Sequence, residues 1–412
     1  MMIKFLTGFT CIFLTLAGSA QTRDLDFYLQ AAQKNSPLLK DYAFQVELGR
    51  IDSLKIAAVQ RAQVGLFSQV SVAPTLGNFG YDEAITNGGQ IAGGASVTKP
   101  ILNRKILNAG YEAVSIQNSI IRNASRVGLH DLEKQVTDQY ILAFQGNAQI
   151  IFTERIAATL ASETEVLKEL FKKGAGKQSD YMSVAIEKQA QEIALEELRA
   201  QYHTDVLLLN ALCGIEDTAT VQLAAPQLML KVLPDPAATA FLYKFRLDSL
   251  NLENQKKIIA TRYLPHLNAF GDAGINSSHI SGLYQYLGFN AGLSFAMPLY
   301  DGHQKTLDFK KINFSQSIRK EYQDYFKIKY SLQLKQIRSE LAGIDRIIVK
   351  LQQQVKDIEV LMKLSRQQLV SGMTSTVEYV VILKNYMESN HELNKALIRK
   401  QLLISENNYW NW

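Results

Sequence analysis

The chain has 412 residues, 47% of them hydrophobic and 20% charged, with 24 Gly, 8 Pro, 2 Cys and a formal net charge of +5. That composition excludes a largely disordered chain, and the mild, sign-interspersed charge (Arg338, Glu340, Asp345, Arg346) excludes a nucleic-acid surface built of basic blocks and stacking aromatics. Beyond the extreme N-terminus no run of about 18 uncharged apolar residues occurs, so no membrane-spanning helix is expected, while a β-barrel span stays open.

Lys4 precedes the uncharged stretch Phe5 to Ala17, and Gly18, Ser19 and Ala20 follow as small residues. Residues 1–20 read as a secretory signal peptide cut after Ala20. Cys11 would leave with it, and Gln21 would become the first residue, so no cysteine is placed there for lipid attachment. Cys213 then has no disulfide partner in the chain and is expected as a buried small hydrophobe.

In chain order, a helix is expected over 38–64, then two strands from Leu66 to Ala73 and from Ile91 to Lys99 around a Gly- and Asn-rich loop, with Lys99 marking a rim. The proline-free stretch 103–172 reads as one long helix, Gly174 to Lys177 as a turn, and 178–213 as a further helix. A segment over 216–235, rich in Thr, Gln, Leu and Pro, links this to a second series. There, Asp235 and Pro236 offer an N-cap and first-turn proline for a helix to Tyr263. One strand is expected from His266 to Asn276. The next, Tyr286 to Met297, puts Leu287, Phe289, Ala291, Leu293 and Phe295 on one face and Gly288, Asn290, Gly292 and Ser294 on the other. A long helix over 303–371 follows, then a turn at Gly372 to Ser375 and a helix over 375–411. Within the long helix, Tyr330, Leu334, Ile337, Leu341, Ile344, Ile348, Leu351, Val355, Ile358 and Met362 alternate spacings of four and three, a coiled-coil rhythm.

The two series match at a constant offset of 198 residues, the separation of Gly174 from Gly372. It also pairs Pro100 with Pro298, Asp180 with Glu378 and Tyr181 with Tyr379. The chain reads as a tandem duplication, 21–215 and 236–412, whose halves form one interwoven unit. Helices of roughly 70 residues would be about 100 Å long, more than three times a bilayer's hydrocarbon. Four one-sided strands cannot close a membrane barrel, which needs about eight, so they must be pooled between chains; three chains would give about twelve. Two or four chains also satisfy this counting, and a small soluble sandwich is the alternative to a barrel.

Glycine permits the positive φ that the helix-hairpin turns need, and a following Ser or Thr can cap the next helix. The GAGK at 174–177 lacks the remaining residues of a phosphate loop, having Phe171 and Gln178 at the two diagnostic positions. His130, His203, His266, His279, His303 and His391 form no metal-ligand spacing, and no nucleophile, base and orienter set is recognisable. No catalytic residue, metal or cofactor is expected.

Several segments together resemble the outer-membrane efflux protein (TolC) family: Asn35-Ser36-Pro37 at the start of the first helix, Tyr263-Leu264-Pro265-His266-Leu267 leading into a strand, Met297 to Gly302 leading out of one, and the turns Gly174 to Tyr181 and Gly372 to Tyr379. The resemblance covers nearly the whole chain after residue 20. It implies a mainly α fold with a transmembrane β-barrel: a homotrimer pooling four strands per chain into a twelve-stranded barrel, above a long coiled-coil α-helical barrel in the periplasm. It implies a passive, non-enzymatic export conduit in the outer membrane that meets a periplasmic adaptor and an inner-membrane pump. The tips Gly174, Ala175, Gly176, Lys177, Gly372, Met373 and Thr374 would touch the adaptor, and Leu287, Phe289, Leu293 and Phe295 would face outer-membrane lipid. Asp180 and Glu378 would fall at the gate, where the family's next aspartate is replaced by Val381; a plainer role for both is to favour a helix N-terminus. Phe67 stands where the family pattern has proline before its first strand, and Gln21 where many relatives carry a lipidated cysteine. A periplasmic coiled-coil adaptor or scaffold is the alternative function.

Overall fold

The computed structural model describes residues 22–74, 76–77, 79–80, 88–101, 104–174, 176–219, 221–231 and 239–412. The signal peptide, Gln21, Asn103, Ala175, and the Asp235 and Pro236 cap lie outside the described residues. Among the described residues the α-helices and strands follow in the order α1 (Leu25–Asn35), α2 (Pro37–Val59), β1 (Gln63–Ala73), β2 (Gly88–Ile101), α3 (Arg104–Lys172), α4 (Gln178–Leu212), α5 (Ala240–Thr261), β3 (His266–Ser277), β4 (Leu287–Ala296), α6 (Gln304–Val370) and α7 (Thr376–Trp410). The chain divides into two compact units, one of residues 1–36, 129–233 and 332–412, the other of 37–128 and 234–331, so each unit draws on both repeats.

In the first unit, α1 starts at Asp24, whose carboxylate accepts from the Phe27 N–H at 2.9 Å. Asn35-Ser36-Pro37 is therefore a junction between two helices and not the start of the first. Pro37 disfavours helical backbone at Ser36, which turns to ψ 119°, and itself opens α2 as an N1 proline. Tyr28 and Ala32 of α1 pack with Val136 and Tyr140 of α3, Tyr202, Val206 and Leu209 of α4, and Cys213. Cys213 is fully buried and free, and burial pushes its thiol up to about 12. The linker is threaded into this core: Arg23 pairs with Leu223 as an isolated bridge, while the Tyr140 and Tyr202 hydroxyls donate to the Ala224 and Val221 carbonyls, each at 2.6 Å. A second cluster joins Ile156, Leu160 and Leu167 of α3 to Val184 of α4 and Leu383 of α7. A third joins Ile337 and Leu341 of α6 to Leu403 and Ile404 of α7. All ten positions of the four-three rhythm on α6 are buried or half-buried, so that stripe is the helix's packed seam.

In the second unit, α5 begins later than the sequence suggests, with Thr239 as N-cap accepting from the Leu242 N–H. Buried Asn123 and Asn254 donate to the Ala240 and Ala109 carbonyls, each at 3.2 Å, cross-tying α3 and α5. The four strands form one antiparallel sheet in the order β1-β2-β3-β4. β1 and β2 begin three residues before their expected starts, which places Phe67 well inside β1, opposite Gly94, and not at the strand's entry. Lys99 likewise lies within β2, paired with Ala269.

Candidate functional site

Register determines what the sheet presents. Val64, Val97, Gly271 and Ala291 stand in one row across the four strands, and Leu66, Ala95, Ala273 and Phe289 in the next. All of these share one face, because side chains alternate along a strand. On that face Leu287, Phe289, Leu293 and Phe295 are 75, 89, 66 and 67% exposed, and Val64, Leu66, Val70 and Val72 of β1 are exposed too. Fully burying eight such side chains would contribute on the order of 10–20 kcal/mol per chain, so a face this apolar requires a non-aqueous neighbour. The opposite face carries Gln63, Ser96, Asn268, Asp272, Asn290 and Ser294 among glycines. Among the described residues β1 and β4 each have a single strand neighbour, leaving two rows of backbone N–H and C=O groups without strand partners at the sheet's edges. Exposed Tyr284 and Tyr286 precede β4, and exposed Leu299 and Tyr300 follow it, so apolar and aromatic groups flank the band at both ends.

The helix-hairpin turns belong to the other unit. Gly174 and Gly372 both have φ +74°, a conformation that costs L-residues with a Cβ about 1–2 kcal/mol. The second turn closes as a Schellman motif, Met373 N–H donating to the Gln368 carbonyl at 2.8 Å and Gly372 N–H to Leu369 at 3.1 Å. Ser375 caps α7, its hydroxyl accepting from the Glu378 N–H at 3.2 Å. The first turn differs: the N-cap is Lys177, with no side-chain hydrogen bond, so the expected Ser or Thr cap is present only at the second. Gly176, Lys177, Met373 and Thr374 lie in these turns, with Met373 and neighbouring Val370 and Val377 strongly exposed.

Asp180 and Glu378 each lie in the first turn of their helix, α4 and α7. Glu378 is exposed and accepts from the Thr374 hydroxyl at 3.4 Å, a helix-start arrangement. Among the described residues the Asp180 carboxylate makes no hydrogen bond or ion pair with Glu378. What does join the two hairpins was not foreseen. Glu163 of α3, 1% exposed, pairs with Arg366 of α6, and Glu187 of α4 with Lys384 of α7 at 2.9 Å. Beside Glu163, burial first and then the Glu163 charge push the Tyr379 phenol up to about 12. The signal was available: Glu163 occupies a seam position in the series Ile156, Leu160, Glu163, Leu167, where a charge needs a partner. No group of three or more His, Cys, Asp or Glu that could hold a metal ion occurs among the described residues.

No family model and no curated protein matches the sequence. Solved structures do match. The outer membrane protein VceC from Vibrio cholerae is 12% identical, with 94% of this chain and 96% of that one covered at a TM-score of 0.73. The open-state MtrE outer membrane channel of Neisseria gonorrhoeae is 11% identical over 94% and 88%, at 0.71. The Campylobacter jejuni CmeC outer membrane channel is 11% identical over 94% and 85%, also at 0.71. The chain therefore has the fold of these outer-membrane proteins, mostly helical with a four-stranded sheet among the described residues.

Proposed function

We propose that the protein is the outer-membrane channel of a tripartite export system, a passive conduit from periplasm to exterior. The observation that carries this is the sheet: an exposed apolar face, a polar glycine-rich face and two open edges in one chain. Such a sheet is satisfied when β1 of one chain pairs with β4 of the next and the apolar face meets lipid. Three chains close a ring of twelve strands, within the usual range for outer-membrane barrels.

The hairpin turns meet the periplasmic adaptor that couples the channel to an inner-membrane pump; their exposed Met373, Val370 and Val377 support this, being apolar groups without cover in the chain. Asp180 and Glu378 contribute carboxylates near the same turns and bias a constriction towards cations. The reading is tested by fractionation, mild-detergent electrophoresis and planar-bilayer recording. A heat-modifiable oligomer in the outer membrane that conducts ions is expected; a soluble monomer would overturn it. Glu378→Gln with unchanged cation selectivity would remove the gate role alone.

A further inference from the structure

The strands hold one carboxylate, Asp272, and one amine, Lys99, and the register puts them on opposite faces. Asp272 is half-buried on the polar face, in a row with Gly65, Ser96 and Asn290. Among the described residues its carboxylate has neither an ion pair nor a hydrogen bond. The next row carries Phe67 on β1 and only glycines, Gly94, Gly274 and Gly288, on the other three strands. Gly94 and Gly274 oppose each other so closely that a Cβ on either would lie 2.3 or 2.2 Å from a carbonyl oxygen of the facing strand. No side chain can therefore grow at these two glycines to cover Asp272. The result is a hollow of about 450 Å³ lined by Phe67, Asp272, Gly274, Asn276, Tyr286 and Asn290. The Asn276 side-chain oxygen already accepts from Gln90 at 3.1 Å, which fixes that amide.

We propose that this hollow is a transit site for organic cations, an ammonium or guanidinium group on an apolar body. The carboxylate supplies the counter-charge, the Phe67 and Tyr286 rings supply aromatic faces that attract cations, and the volume suits a drug-sized body. A bare metal ion is a poorer fit, because one carboxylate and two amides fall short of the oxygen set that hard cations take. The site rests on the channel reading, which turns the polar face towards the lumen and gives one hollow per chain. It also gives Phe67 a role that a residue merely leading into a strand would not have.

The test is single-channel recording of the full assembly, with benzyltrimethylammonium added on the barrel side and block durations measured. Asp272→Asn is expected to shorten the blocks about tenfold, and Asp272→Glu to retain them, as loss and retention of one counter-charge in a partly wet site require. Phe67→Ala should shorten blocks by benzyltrimethylammonium and, less strongly, those by tetramethylammonium, an independent measure with the carboxylate intact. Blocks of unchanged duration in Asp272→Asn, or in Phe67→Ala, would overturn the site while leaving the channel standing. A wild-type protein that conducts nothing would instead remove the channel reading, and the site with it.

Discussion

Arg366→Met isolates one of the two ion pairs that join the hairpins, Glu163 with Arg366. Glu163 is 1% exposed, whereas the Arg366 side chain is 51% exposed, so the pair is buried on its acidic side and wet on its basic side. Two unit charges about 4 Å apart attract by about 4 kcal/mol at an effective dielectric of 20, and solvent around Arg366 together with its side-chain entropy reduces the net to about 2 kcal/mol. Removing the arginine leaves the carboxylate buried without its counter-charge, whereas Glu163→Gln removes the charge, keeps the shape and can still accept from Arg366, at a cost below about 1 kcal/mol. The two partners are therefore unequal, and the double variant should resemble Glu163→Gln. Hydrogen exchange in the detergent-extracted protein reads this locally: amides of the first turns of α7 should exchange about 30-fold faster in Arg366→Met, the equivalent of about 2 kcal/mol, while those of α1 stay unchanged. Exchange in Arg366→Met no faster than in Glu163→Gln would refute the reasoning.

Gly372→Val places a β-branched residue at φ +74° and should cost about 1–2 kcal/mol at the turn, abolishing export in a susceptibility assay while oligomers persist on mild-detergent gels. Ala291→Arg, on the apolar face of β4, should lose about 2–4 kcal/mol per chain and fail to insert, whereas Asn290→Arg on the polar face should still yield heat-modifiable oligomers. The Ala219 N–H and then Arg23 hold the Asp217 carboxyl below its ordinary value. Stability from this group is present above the unfolded pKa and is lost as pH falls through the lowered folded value. Amides around Arg23 and Leu223 should therefore open only in acid below the usual aspartate range, and Asp217→Asn should remove that dependence in pH-resolved hydrogen exchange.

Long, strongly patterned elements were the legible ones. Proline-free stretches and the four-three rhythm gave α3 and α6 almost to the residue, and the offset of 198 carries α4 (Gln178–Leu212) onto α7 (Thr376–Trp410). The alternation in β4 gave the exposed apolar face, because one residue of slip would have inverted it. Short-range signals misled. Asp235-Pro236 resembles a helix start as well as Thr239 does, and nothing local says which cap is used. Asn35-Ser36-Pro37 marks a helix boundary from either side, so α1 went unread. The offset that sets Phe67 against Pro265 holds for the helices but drifts by several residues between β1 and β3. Pairings such as Glu163 with Arg366 depend on which helices meet, which charge patterning alone does not specify.

The two open edges of the sheet also have a genetic consequence. In the proposed three-chain ring each subunit would donate one edge to a neighbour and receive another, so a single chain with a ruined edge would spoil the ring it joins. An allele carrying a proline within β1 or β4, expressed equally with the wild type and still able to join rings, would leave roughly one assembly in eight intact. The defect would then be dominant, and damage to this gene product could not be masked by a good copy.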